Sequence, residues 1–139
     1  MAGTLVIDTV KSSTSGPPAF QNTSGTEVGQ LCRAWVNFHG AGGSTVRASF
    51  NVSSVVRNST GNYTINFTTS MPDGNYSVVG SVAGSTGTGA AGNNVIAEAI
   101  GVAGTLYSGK SASAVQILTS DNNADTLIDA FSANVAIFR

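Results

Sequence analysis

The lone cysteine, tryptophan and histidine of this chain sit close together, at Cys32, Trp35 and His39. A cysteine nucleophile needs a base or a positive field to hold its thiolate. Here Cys32, Ala34, Val36 and Phe38 alternate with Leu31, Arg33, Trp35 and Asn37, the period of a β-strand. Cys32 therefore shares a face with Val36 and Phe38 and reads as a buried structural thiol, while His39 falls past the strand end beside Gly40. Ser, His and Asp all occur, but without a Gly-x-Ser-x-Gly elbow or any clustering that suggests a triad. Glycan hydrolysis needs two carboxylates facing each other across a cleft. The chain has seven acidic residues, and three of them, Asp121, Asp125 and Asp129, fall in or just past one polar loop. No catalytic residue is expected.

Asp121, Asn123 and Asp125 have the spacing that opens a calcium loop. The sixth position is Thr126 where glycine is required, and the twelfth is Ser132 where glutamate is required. A solvated turn, in which Asp and Asn bond their own backbone, is the preferred reading. A weak cation site between subunits is the alternative, and no resident metal or cofactor is expected. Trp35, Tyr63, Tyr76 and Tyr107 could stack on sugar rings, though Trp35, on a face with Arg33, reads first as packing at a subunit interface.

The elements that must position these groups are strands. The chain has 139 residues, enough for one domain with a core plus a short arm. Charged residues make up only 9% and the net charge is -1, which excludes nucleic-acid binding by a basic surface. With 41% apolar residues the chain is expected to fold. Met1 to Val10 lacks the charged and apolar regions of a signal peptide, and no apolar run is long enough to span a membrane.

Alternation predicts about seven strands: Leu31–Phe38, Val46–Val56, Tyr63–Phe67, Tyr76–Val82, Val95–Val102, Ala112–Thr119 and Ala130–Phe138. In the second, Val46, Ala48, Phe50 and Val52 share a face; in the last, Phe131, Ala133, Val135 and Ile137 do. Nothing has helical period. The expected fold is all-β, an antiparallel β-sandwich or barrel-like domain over residues 29–139. Cys32, Trp35, Val36, Phe38, Phe50, Tyr63, Phe67 and Phe138 are its expected core or interface residues.

Residues 1–28 read as a short extended N-terminal arm. Leu5 to Val10 is apolar and alternating, and Lys11 to Gly29 is loose, with Pro17-Pro18. A lone strand leaves its backbone groups unpaired. The segment must then pair with the main domain, with copies of itself or with another protein, and Leu5, Ile7, Val10 and Phe20 are its expected anchoring residues. Gly84 to Asn94, rich in Gly, Ala, Ser and Thr, is expected to be an exposed loop.

Leu31 to Phe38, Val46 to Ser54, Gly61 to Thr69, Met71 to Tyr76 and Val135 to Arg139 together resemble a module of bacteriophage tail-fibre-like and virion structural proteins, especially phages of cyanobacteria and other aquatic bacteria. Leu5 to Ser13 is similar to the leader that often precedes it. The resemblance implies a homotrimeric fibre head made in the host bacterial cytoplasm and carried on the virion. Its arm would bind other virion proteins of the tail, baseplate or capsid. Its exposed loop, through Ser85, Thr86, Thr88, Asn93 and Asn94, would face a host-surface glycan or protein. No long shaft repeat precedes the head, which leaves a short fibre, a head fibre or a capsid decoration (cement) protein as the roles implied.

Overall fold

The computed structural model describes residues 3, 6–13, 18–85, 95–98, 109–120 and 126–139, with 85 and 95–98 as backbone only. Two compact units are present, one ending at Leu31 and the other running from Cys32 to Arg139.

In the first unit, residues 6–13 carry no strand. Beyond them β1 (Phe20–Gln21) pairs antiparallel with β2 (Glu27–Gly29). The Asn22 side chain shapes the turn by accepting the N–H groups of Ser24 and Thr26, each at 3.0 Å. Gly25, at φ 79°, supplies the left-handed step. A loose stretch was the expectation here, and a small exposed hairpin is the finding. Strands of two and three residues are too short to leave a periodic signal.

The second unit is all-β. Its strands are β3 (Cys32–His39), β4 (Thr45–Phe50), β5 (Val52–Ser59), β6 (Asn62–Phe67), β7 (Ser77–Ser85), β8 (Val95–Glu98), β9 (Ala114–Ser120) and β10 (Ala130–Phe138). They form two four-stranded antiparallel sheets, ordered β4-β3-β10-β7 and β5-β6-β9-β8. This is a sandwich arrangement; neither sheet closes into a barrel among the described residues. No helix of the described residues is long and apolar enough to cross a membrane.

Alternation builds the core. Ala34, Val36 and Phe38 of β3 and Ala133, Val135 and Ile137 of β10 face Val55, Tyr63, Ile65, Phe67, Val115 and Ile117 of the other sheet. Phe38 meets Tyr63 edge-on at 5.1 Å between ring centres, and Phe67 meets Tyr76 likewise at 5.8 Å. Phe131 departs from the pattern: it is exposed, while Ala130 takes the buried place.

One expected strand divides. Val46 to Val56 alternates without interruption in sequence, yet β4 and β5 lie in different sheets. Between them Asn51 adopts φ 54°, a left-handed conformation that Asn tolerates better than most residues. Its Nδ2 donates to Arg33 O (3.0 Å) and Thr69 O (3.1 Å), and its Oδ1 accepts Thr69 N–H at 2.7 Å. One side chain thus ties β3 of the first sheet to the segment following β6 of the second.

Candidate functional site

The outer surfaces of the two sheets differ. On the second sheet, amides and hydroxyls bond one another: Asn58 to Asn62 and Thr64, Gln116 to Asn62, and Asn66 to Ser54. The first sheet presents aromatic and aliphatic groups instead. Directly paired residues put their side chains on one face. The register aligns Phe50, Trp35, Ala136 and Val79 in a row across all four strands. Phe50 is 55% exposed, Trp35 40% and Val79 52%. An open row of this composition is the kind of patch that marks an interaction surface.

The next row is Ala48, Asn37, Asn134 and Ser81. Asn37 Nδ2 donates to Asn134 Oδ1 (2.6 Å) and Ser132 Oγ (3.1 Å), and Asn134 Nδ2 donates to Ser81 Oγ at 3.3 Å. These bonds fix the two amides across β3, β10 and β7. Between the rows runs a shallow groove of about 420 Å³ lined by Trp35, Asn37, Val79, Ser81, Asn134 and Ala136. An apolar floor with a few oriented polar groups is suited to binding.

Arg47 lies beyond the second row, next to Ala48 on β4. It sits in a β-bulge, since Asn37 pairs with Ala48 but Phe38 pairs with Val46. Its side chain reaches β10, donating to Ser132 Oγ and Phe131 O, both at 2.9 Å, and lying 5.3 Å over the Phe131 ring. His39 Nδ1 bonds the same carbonyl at 2.7 Å. A carbonyl oxygen only accepts, so Nδ1 carries the proton. With its ring 5.2 Å from that of Phe131 as well, His39 holds the end of the sheet.

A second polar group, Asp129, has a structural geometry. It accepts Arg57 Nε at 2.9 Å and the terminal guanidinium nitrogen at 2.8 Å, Gly61 N–H at 3.0 Å and the Tyr63 hydroxyl at 2.7 Å. Partial burial pushes its pKa up, but Arg57, Gly61 and Tyr63 outweigh that and pull it down to about 2. Burial, together with the bond it donates to Asp129, holds the Tyr63 hydroxyl above its ordinary range. A carboxylate so saturated with donors is a clamp between β5, β6 and the entry to β10, not a free base.

The expected residues divide as follows. Val36, Phe38, Tyr63 and Phe67 are buried in the core. Cys32 is half-buried with its thiol on Ala34 O at 3.2 Å, and Phe138 is half-buried at the end of β10. Trp35 and Phe50 lie on the outer face. Ile7, Val10 and Phe20 are exposed in the first unit, and Ser85 ends β7 rather than standing in a loop. Leu5, Thr86, Thr88, Asn93, Asn94 and the loop Asp121 to Asp125 lie outside the described residues. Among the described residues no three His, Cys, Asp or Glu gather as a metal site. Val79, Ser81, Asn134 and Ala136 did not stand out in the sequence. Their alternation was visible, but only the pairing of β10 with both β3 and β7 puts them beside Trp35.

These features define an antiparallel β-sandwich with one polar outer face and one aromatic outer face. No family model, curated protein or solved structure matches the chain.

Proposed function

We propose that this chain is a non-enzymatic structural module of a bacteriophage virion: a short homotrimeric tail or head fibre that joins the particle and meets the host surface. The observation that carries the reading is the uncovered row Phe50, Trp35 and Val79 beside the oriented amides Asn37 and Asn134. A tryptophan ring flanked by amides and hydroxyls is chemistry that can stack on a sugar and bond its hydroxyls. Three copies would multiply weak contacts through avidity. Low charge and a polar second face suit a module that works among neighbours in an assembly. Its sequence resemblance to fibre modules supplies the virion context.

The decoration reading has support of its own. The first row of this face is apolar throughout, as a surface covered by a capsid joint would be.

Purified full-length protein decides between them. A fibre protein sediments as a trimer, binds host cells and blocks infection, and Trp35→Ala loses the block. A decoration protein leaves infection untouched, and particles stripped of it leak on heating. Particles on which an antibody to the chain finds no target would contradict both.

A further inference from the structure

We infer that the sugar taken by the Trp35 face is an acidic one, whose carboxylates are drawn by Arg33 and Arg47. This names the ligand class of the site described above and rests on the sugar-binding reading of it. The chain as a whole is net negative, at -1. Its first sheet is the opposite: β3, β4, β7 and β10 contain Arg33 and Arg47 and no Asp or Glu. Asp73, ahead of β7, is taken by Arg139, and Asp129, ahead of β10, by Arg57. Among the described residues no acid pairs with Arg33 or Arg47. Two cations without counter-charges beside an indole ring complement an anionic partner.

The two arginines flank the two rows. Arg33 precedes buried Ala34 and so shares the outer side with Trp35, about 7 Å along β3. Its side chain makes no hydrogen bond or ion pair among the described residues. Arg47 lies past the opposite row. Ser132 Oγ accepts both Arg47 (2.9 Å) and Asn37 Nδ2 (3.1 Å), so one hydroxyl joins the guanidinium to an amide that lines the groove. The bonds to Ser132 Oγ and Phe131 O use two of its five N–H groups. Going from Arg33 to Arg47, the face thus presents an indole ring and then an amide between two positive charges. A neutral sugar would use the ring and the amides alone; an acidic one uses the charges as well. Two cations are too few to hold a nucleic-acid backbone, which is bound through many phosphate contacts.

The test titrates the full chain with trigalacturonate, with its uncharged methyl ester and with poly-glutamate, and reads Trp35 fluorescence. Trigalacturonate should bind roughly tenfold tighter than the ester, and the advantage should vanish at about 1 M salt. Arg33→Gln and Arg47→Gln should each weaken trigalacturonate roughly fivefold and leave the ester unchanged. Arg33→Gln has no side-chain bond to lose, so it should melt as the parent does. Arg47→Lys keeps the charge and should bind the acid nearly as the parent does. Trp35→Ala should lose both sugars. Acid and ester bound equally, arginine variants that bind the acid as tightly as the parent, or no binding of trigalacturonate at millimolar concentration would overturn the proposal. Poly-glutamate bound as tightly as trigalacturonate would overturn it too, since the face would then attract any polyanion. A parent that binds host cells yet ignores trigalacturonate loses this proposal alone. A parent that binds trigalacturonate through Trp35 and both arginines yet ignores host cells loses the host-contact reading alone.

Discussion

Asn51 joins the two sheets through one side chain, and its loss should be felt by both. Asn51→Ala removes three hydrogen bonds and puts alanine at φ 54°. Chemical denaturation should show a loss of about 2–3 kcal/mol. Asn51→Gly keeps the backbone conformation and should recover part of it. Ser44 is the opposite case. It is buried at φ 61° with a hydroxyl that finds no partner among the described residues, so Ser44→Gly should stabilise the fold by about 1 kcal/mol. Asp129 adds a pH dependence. Its folded pKa of about 2 lies below the ordinary 3.8. The stability it contributes is therefore complete above about pH 4 and lost as the pH falls toward 2. Urea unfolding from pH 7 to pH 2 should show Asp129→Asn already weakened at neutral pH by about 1–2 kcal/mol and less steep in acid.

Strand by strand, the alternation of Leu31 to Phe38 was enough to place β3 and its buried face, because a half-buried strand writes its burial into every second residue. The same rule failed at Val46 to Val56. Alternation continued across Asn51 while the backbone turned out of the sheet, and no period reports a left-handed residue. Phe50 was expected in the core or at an interface, and it lies on the exposed outer face. Phe131 escaped because the alternation of β10 breaks at its start, where Ala130 rather than Phe131 is buried. The candidate face depends on which strands pair, and β3 meets β10 across about a hundred residues of sequence. Phe38 and Phe50 make the contrast measurable. Phe38→Ala empties a fully buried site and should cost about 3–5 kcal/mol. Phe50→Ala removes a half-exposed ring and should cost about 1 kcal/mol or less.

At the scale of the sandwich, the two outer faces differ. Polar side chains bond one another on one side, while Trp35, Phe50 and Val79 are exposed on the other. The chain has a single tryptophan, and it lies on that face. Its fluorescence therefore reports the proposed working surface directly. Full-length protein titrated with purified lipopolysaccharide from a panel of cyanobacterial strains should bind one of them, with Trp35 emission shifting to the blue and acrylamide quenching falling. A chain that binds none of them, or binds with emission and quenching unchanged, would contradict the account.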